Sequence, residues 1–246
     1  MYNFFVSESS INDNKVFISG KDFNHIKNVL RLKEGETFLV SADKMSHLCR
    51  LNSYGSDFVQ CEIIEKNYQD TSLPIKIVLF QGLPKSDKLE LIIQKAVELG
   101  VDTIIPVQMS RSIVKYDDKK AKSKVERFQA IAESAAKQSK RTKIPKVQDL
   151  LSFNEAVKVA KDLDLFLLPY ENKKGIESTK ECLSLIKSGD SVGIMIGPEG
   201  GFDDREIELA ENSGAKLISL GKRILRTETA AITAMSMCML YAEMKL

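Results

Sequence analysis

The pattern of hydrophobic positions changes near residue 70. Before that point, short β-branched and aromatic runs are separated by Gly, Asn, Asp and Ser, as is typical of β-strands: NFFVSE, KVFISG, ETFLVSAD, SHLCRLN and FVQCEIIEK. One helix is predicted at DFNHIKNVLR, because Phe23, Ile26, Val29 and Leu30 follow helical spacing. Residues 1–70 are therefore predicted to form a small barrel-like domain.

A different pattern of hydrophobic positions follows the predicted linker NYQDTSLP. Continuous apolar runs predict strands at IKIVLFQGL, DTIIPVQ, LDLFLLP, SVGIMIG and AKLISLG. They alternate with helices predicted at about 120–138, 153–161, 176–187 and 204–213. Strands that are apolar on both faces and alternate with helices favour a parallel sheet covered on both sides. Residues 74–246 are therefore predicted to form an α/β domain.

Two further helices show distinct patterns. In SDKLELIIQKAVELG, Asp87 and Glu90 predict a capping box and Gly100 predicts the helix end. Its apolar stripe consists of Leu89, Ile92, Ile93, Ala96 and Val97. The last helix, from about Thr227, is apolar nearly all round, so we expect it to be buried in its own domain or against a second copy of the chain.

Composition narrows the class of protein. The chain has 246 residues, 43% hydrophobic and 28% charged, which is typical of ordinary globular proteins. No apolar run approaches the roughly 18–20 residues of a membrane span, and the N-terminus lacks the features of a signal peptide. We expect a cytoplasmic protein without a membrane segment.

The four cysteines and two histidines argue against metal chemistry. The cysteines lie far apart without a C-x-x-C pair, so unreactive thiols in a reducing compartment are expected, with no metal site. The net charge of +2 is too small to indicate nucleic-acid binding by itself. Any such function must depend on where the cations cluster.

Three loops follow predicted strands: LLPYE at 167–171, GPEGGF at 197–202 and LGKRILRTET at 220–229. In open α/β sheets, ligands bind beyond the carboxyl ends of strands, so these loops could form a pocket. By itself GPEGGF is more typical of a tight turn than of a site. It lacks the Gly-Lys-Ser/Thr of a P-loop and the G-x-G-x-x-G of dinucleotide sites, so a ligand with hydroxyls, an amine or positive charge suits it better.

The same loops carry a family resemblance. IGPEGGF followed by SLGKRILRTETA resembles the C-terminal signature of the SPOUT methyltransferases. The similarity extends through KSDKLELIIQKAVELGVDTIIPVQMSRSIVK, AESAAKQSKRTKIPKV and GKDFNHIKNVLRLKEGE, and so covers most of the chain. MYNFFV departs from the family pattern, which has an early arginine.

The resemblance implies a fold, a reaction and a partner. It implies a PUA-like β-barrel followed by an α/β domain threaded into a trefoil knot and working as a homodimer. The implied activity is S-adenosylmethionine-dependent methylation of N3 of uridine 1498 in 16S ribosomal RNA of the small subunit. Two alternatives stay open: another target, such as a tRNA ribose 2′-O position, and a non-catalytic RNA-binding protein of ribosome assembly.

With that resemblance, the three loops are expected to surround the cofactor. The expected cofactor residues are Leu168, Pro169, Gly197, Pro198, Glu199, Gly200, Gly201, Ser219, Leu220, Gly221, Ile224, Leu225 and Thr229. Glu199 has two expected roles: it could face the ribose hydroxyls or the sulfonium charge, or it could cap the following helix.

Methylation at N3 requires that the uracil lose a proton or be stabilised as an anion. Arg226 is the first candidate, because a guanidinium beside the pyrimidine oxygens favours the anion. Glu228 is the second candidate, as proton acceptor. The alternative is that Arg226 and Glu228 form a surface ion pair at the start of the last helix.

The RNA surface is expected where cations cluster, in KQSKRTKIPK, in SRSIVK and around DFNHIKNVLRLK. Such charge runs are often only solvated faces. The expected RNA-binding residues are Arg31, Arg111, Lys115, Lys137, Lys140 and Arg141, with Lys140 and Arg141 favoured as phosphate contacts.

Overall fold

The computed structural model describes residues 1–170 and 175–246. The chain divides into two compact units. The first consists of Met1–Ser72 and Ala136–Ile144, and the second of Leu73–Ala135 and Pro145–Leu246. The sequence placed the linker near the same point, but it did not anticipate that residues 136–144 belong with the N-terminal unit.

The first unit is built on one six-stranded sheet. Its strands are β1 (Asn3–Phe5), β2 (Ile11–Asn12), β3 (Lys15–Ser19), β4 (Thr37–Ala42), β5 (Met45–Tyr54) and β6 (Phe58–Glu65). They lie in the order β1-β4-β5-β6-β3-β2, antiparallel except for the parallel pair of β1 and β4. In β3, Val16 and Ile18 are buried between exposed neighbours, which is the alternation expected of a strand with one face in the core.

The predicted helix of the first unit is present but irregular. It begins as α1 (Gly20–Asn24) and continues as a π-helical stretch, His25–Leu30. Ile26 is buried, as the apolar stripe predicted, but Val29 is 64% exposed. The wider π-helical turn explains this error, because positions three apart then no longer share one face.

A seven-stranded sheet forms the centre of the second unit. Its strands are β7 (Lys76–Gly82), β8 (Thr103–Gln108), β9 (Lys146–Val147), β10 (Leu151–Ser152), β11 (Leu165–Pro169), β12 (Ser191–Ile196) and β13 (Lys216–Ile218). All pairs are parallel, in the order β10-β8-β7-β12-β11-β13 with β9 beside β8. The predicted parallel sheet is confirmed. The two-residue strands β9 and β10 are too short to leave a periodic signal.

Six helices of the described residues are those that the sequence predicted. They are α2 (Lys88–Glu98), α3 (Asp118–Gln138), α4 (Phe153–Lys161), α5 (Glu177–Ser184), α6 (Asp204–Asn212) and α7 (Thr227–Lys245). The predicted apolar stripe of α2 is fully buried. The predicted capping box is wrong: Asp87 accepts the Glu90 N–H through its backbone carbonyl, and the Glu90 carboxylate pairs with Arg127 at 2.8 Å.

The last helix buries one face within its own unit. The buried positions are Thr227, Ala231, Ala234, Met235, Cys238 and Ala242. Leu240 and Met244 are 47% and 69% exposed. A helix that is apolar nearly all round therefore has an outer apolar face that this single chain leaves partly in solvent.

Three cysteines behave as core residues. Cys49, Cys61 and Cys238 are buried, and burial raises the pKa of each thiol to about 12. In residues 1–170 and 175–246, the structure groups no three His, Cys, Asp or Glu side chains in a way that could hold a metal ion. Within the same residues, no helix has the length and apolar character needed to cross a bilayer.

Candidate active site

A cavity of about 470 Å³ lies beyond the carboxyl ends of β11, β12 and β13. The three strands are parallel members of one sheet, so the loops that follow them meet at the same edge. The cavity is lined by Pro169, Tyr170, the run 196–202, the run 219–227, Lys88 and Ala230. The structure therefore brings together the three loops that the sequence singled out. Glu171, the end of the first loop, lies outside the described residues.

Two expected cofactor residues do not line the cavity. Leu168 is fully buried within β11, and Thr229 faces solvent in the first turn of α7. Leu168 precedes the strand end by one residue, so its side chain points into the core. The other expected cofactor residues all line the cavity.

The loop Gly197–Phe202, here called the middle wall, is shaped by its glycines. Gly201 has φ +67° and donates its N–H to the Pro198 carbonyl at 2.9 Å. A Cβ on Gly197 would lie 3.2 Å from the backbone carbon of Gly201, so the loop closes tightly on itself at this glycine. The motif is thus both a tight turn and a wall of the cavity.

Neighbouring elements hold the middle wall in place. The Thr227 hydroxyl donates to the Gly197 carbonyl at 2.7 Å and accepts from the Gln81 amide at 3.0 Å. On the other side, Arg111 Nη1 donates to the Gly200 carbonyl at 3.2 Å. Strand β7, the loop after β8 and helix α7 therefore all fix this one loop.

Glu199 links the middle wall to the start of α2. Its carboxylate accepts the backbone N–H of Lys85 at 3.1 Å and pairs with the Lys88 ammonium at 3.0 Å. Burial alone would raise the pKa of Glu199, but the Lys88 hydrogen bond and backbone amides lower it below its ordinary value. The expected helix-capping role is wrong, because Asp203 caps α6 with a capping box completed by Glu206.

The loop Ser219–Arg226, here called the third wall, is anchored mainly at its start. The Thr179 hydroxyl of α5 donates to the Ser219 carbonyl at 2.8 Å and accepts the Ser219 N–H at 2.9 Å. Beyond Gly221 most side chains are exposed, Ile224 by 84%, and Leu225 is half-buried. This wall lines the cavity with much less support than the middle wall has.

Arg226 and Glu228 lie at the start of α7 but have different environments. Arg226 is the exposed N-cap residue and lines the cavity. In the part of the chain that the structure describes, its guanidinium has no hydrogen bond or ion pair. The Glu228 carboxylate is 15% exposed and pairs with Lys88 at 3.3 Å. The alternative of an Arg226–Glu228 ion pair is therefore wrong for this structure.

Lys88 lines the cavity but lies outside the three predicted loops, and Tyr170 and Thr227 lie in those loops but were not expected to be site residues. A usable signal existed for Lys88. Strand β7 is as apolar as its neighbours, and a central parallel strand delivers the loop that follows it to the same sheet edge. Thr227 gave no such signal, because its role depends on contacts with Gln81 and Gly197 that are distant in sequence.

The expected RNA-binding residues are divided between the two units. Arg111 and Lys115 are exposed in the second unit, and Arg31 and Lys140 are exposed in the first. Lys137, also in the first unit, pairs with Asp22 at 2.9 Å. Four of the six are therefore on the surface with their cationic groups accessible.

The burial of Arg141 does not fit its expected role as a contact to an RNA phosphate. Arg141 is 4% exposed, and burial lowers the pKa of its guanidinium to about 10. Its carbonyl accepts the Asn3 side-chain amide at 3.0 Å within the first unit. A side chain buried in this way is out of reach of an RNA phosphate, and its role here is structural.

Comparisons with known proteins agree with this arrangement of sheet and cavity. The sequence profile of a family described as RNA methyltransferase domain matches residues 71–239. A second profile, described as RNA methyltransferase PUA domain, matches residues 18–64. The class of the protein is thus an RNA methyltransferase domain joined to a PUA domain, which confirms the predicted pairing of an α/β unit with a PUA-like unit. The trefoil knot stays a prediction.

Individual relatives narrow the class. Ribosomal RNA small subunit methyltransferase E of Bacillus subtilis is 43% identical over 89% of this chain and 87% of its own length. That of Mesomycoplasma hyopneumoniae is 35% identical over 97% and 99%. The crystal structure of the Neisseria gonorrhoeae protein of that name, bound to S-adenosyl methionine, superposes with a TM-score of 0.82 at 30% identity, covering 96% of each chain. The chain belongs to the ribosomal RNA small subunit methyltransferase E family.

Proposed function

We propose that this protein is an S-adenosylmethionine-dependent methyltransferase acting on N3 of uridine 1498 in 16S ribosomal RNA. The observation that carries the proposal is the cavity at the sheet edge, which the glycine-rich middle wall and Arg226 both line. The family supports the substrate class, since its members are named for the RNA of the small ribosomal subunit.

The residues of the cavity fit this cofactor. Its volume of about 470 Å³ lies in the range typical of small-molecule sites. Gly197, Gly200 and Gly221 line the cavity, and the absence of side chains there would let a ligand approach the backbone closely. Pro169, the middle wall and Ser219 to Leu225 would hold the nucleoside, and Glu199 adds negative charge suited to a cationic ligand. When bound, the cofactor supplies a methyl group made electrophilic by the sulfonium.

Arg226 is proposed to prepare the uracil. Its guanidinium lies at the cavity lining and would stabilise the negative charge that develops on the pyrimidine oxygens as N3 loses its proton. Glu228 remains the second candidate as proton acceptor, but its carboxylate is engaged by Lys88. The accessible guanidinium therefore favours Arg226 as the catalytic residue.

The exposed cations are proposed to bind the RNA backbone. Arg31, Arg111, Lys115 and Lys140 have accessible charges, and each phosphate that they neutralise would add a salt-dependent contribution to affinity. Lys137 is a weaker candidate, because Asp22 already neutralises it. A target base in folded RNA must leave its stack to reach a cavity of this kind.

The homodimer and the cytoplasmic location are also proposals. The family resemblance implies a homodimer, and the outer apolar face of α7, with Leu240 and Met244, offers a surface for a second copy. A substrate in the ribosome places the enzyme in the cytoplasm. Sedimentation of the purified protein would test the dimer, with a monomer at micromolar concentration as the contrary result.

The proposed function is tested by a methyl-transfer assay on isolated 16S RNA and on 30S particles, with the product nucleoside identified by mass spectrometry. We expect N3-methyluridine at the single position named above, and calorimetric binding of S-adenosylmethionine. Methylation of a ribose 2′-O in tRNA would instead assign a different target. Failure to bind the cofactor would leave a non-catalytic RNA-binding protein.

A further inference from the structure

Lys88 connects three elements around the cavity. It is the first residue of α2, and its ammonium lies 3.0 Å from Glu199 of the middle wall and 3.3 Å from Glu228 of α7. Lys88 itself lines the cavity. One cation therefore holds two carboxylates that come from distant parts of the sequence.

Lys88 is closer to Glu199 than to Glu228. The hydrogen bond to Glu199 raises the pKa of Lys88 above its ordinary value, and Glu228 adds to the effect. Oxygen Oε2 of Glu228 is shielded from solvent, makes no hydrogen bond within the described residues, and has the Lys88 ammonium 3.3 Å away as its counter-charge. A shielded carboxylate depends on its cation, because water cannot replace the lost interaction.

Arg226 lies two residues before Glu228 and is the nearest cation to it along the chain. Arginine pairs readily with carboxylates because its planar group presents two parallel N–H donors. Within residues 1–170 and 175–246, however, Glu228 pairs with Lys88, and the Arg226 guanidinium has no partner. In this structure, Glu228 is thus paired with Lys88 and not with Arg226.

We propose that Lys88 is a positioning residue for methyl transfer. By engaging Glu228, it prevents that carboxylate from capturing Arg226 and so keeps the guanidinium available to the uracil. The proposal rests on the proposed function, in which Arg226 acts on the substrate. The contact of Lys88 with Glu199 has a different role, because it holds the middle wall in place.

The two contacts of Lys88 make different predictions for its loss. If Lys88 acts through Glu228, the Lys88→Met variant leaves Glu228 to pair with Arg226. Turnover should then fall by a factor of about 10 to 100, part of the loss typical of removing one charge-stabilising donor. Affinity for S-adenosylmethionine should fall by a smaller factor than turnover, because Thr227 and Arg111 still hold the middle wall after its contact with Lys88 is lost.

The decisive experiment compares Lys88→Met alone with Lys88→Met combined with Glu228→Gln, using the 16S RNA methylation assay and calorimetry with S-adenosylmethionine. The neutral amide introduced by Glu228→Gln cannot capture Arg226 by charge, so the double variant should recover at least about tenfold in turnover. The matched control combines Lys88→Met with Glu199→Gln, which should not recover. Lys88→Arg should retain most of the activity, because a guanidinium can also bind both carboxylates.

Three results would overturn the proposal. These are wild-type turnover in Lys88→Met, absence of recovery in the Glu228 double variant while the cofactor still binds, and equal recovery in the Glu199 double variant. If Lys88→Met does not fold, the milder Lys88→Gln variant is put through the same comparison. A wild-type protein that binds the cofactor but methylates no RNA would overturn the proposed function itself, which is a separate outcome.

Discussion

The middle wall and the third wall line the same cavity but are built in opposite ways. The middle wall is held by Thr227, by Arg111 and by the pair of Glu199 with Lys88. The third wall is anchored at Ser219 by Thr179 and is then open to solvent as far as Ile224. The middle wall is therefore the preorganised side of the cavity, which can position a ligand. The third wall is the open side, which gives access to the cavity.

The position of each strand explains the difference. The middle wall follows β12, which has a partner strand on both sides and lies inside the sheet. The third wall follows β13, a three-residue strand paired only with β11 at the sheet edge. A loop after a central strand is surrounded by other elements, whereas a loop after an edge strand has neighbours on one side only.

Among the variants that test the middle wall, the largest effect is expected from Gly82→Ala. A Cβ at this position would lie 2.8 Å from the backbone nitrogen of Pro198 and 2.8 Å from the Met109 sulfur. Because both neighbours are packed, the wall must shift, at a cost of about 1–3 kcal/mol. We expect a lower melting temperature and at least tenfold weaker cofactor binding by calorimetry. Unchanged values for both would show that this packing does not set the position of the wall.

A second test removes one hydroxyl. Thr227→Val leaves the Gly197 carbonyl and the Gln81 amide without their shared partner, which should reduce the free energy of unfolding by about 1–3 kcal/mol. Thr229→Val, two residues on and exposed, is the matched stability control and should stay within about 0.5 kcal/mol. Denaturant unfolding of both variants measures the difference. Equal losses of unfolding free energy in the two variants would mean that the Thr227 hydroxyl does not hold the middle wall against α7.

The pH dependence of stability tests the pairing of Glu199. Its pKa in the folded protein is below the ordinary value of 4.5, so it binds fewer protons when folded than when unfolded. Its contribution is complete above pH 4.5 and is lost as the pH falls through the lowered pKa. The difference in unfolding free energy between wild type and Glu199→Gln should shrink below pH 4.5. Glu208 is an exposed residue of α6, and the same comparison of wild type with Glu208→Gln serves as the control for the pH dependence.

The smallest effect is expected from Ile224→Ala in the third wall. Because the side chain is 84% exposed, stability should change by less than about 0.5 kcal/mol. Cofactor affinity should fall by only a few fold, since the residue contributes contact area and little positioning. A large loss of stability would show that the third wall is as firmly built as the middle wall, and the contrast between the two would then not hold.

The sequence predicted the parts of the fold that depend on local periodicity. The apolar runs of the second unit gave five of its parallel strands, and the stripe of α2 is buried as expected. Val29 was misplaced because a π-helical turn changes the spacing on which the prediction rested. Arg141 was misplaced because a charge in a basic run gives no sign of burial by a distant strand.

The candidate site was predicted as three loops, and the structure brings those loops together. Polar connections between them could not be predicted, because each joins residues far apart in sequence. Glu199 contacts Lys85 and Lys88, which precede it by more than one hundred positions. The choice between Asp203 and Glu199 as the cap of α6 depends on neighbouring residues only. The capping box of Asp203 and Glu206 is present in the sequence, so this choice could have been predicted.

The assignment of residues 136–144 to the first unit has a consequence for synthesis on the ribosome. The Asn3 amide, in the first strand of the chain, donates to the Arg141 carbonyl at 3.0 Å. Translation proceeds at about 5–20 residues per second, so the N-terminal strands emerge several seconds before this partner exists. The N-terminal unit thus reaches its final structure only after more than half of the polypeptide has been made, and cutting the gene after codon 72 would yield an unfinished unit.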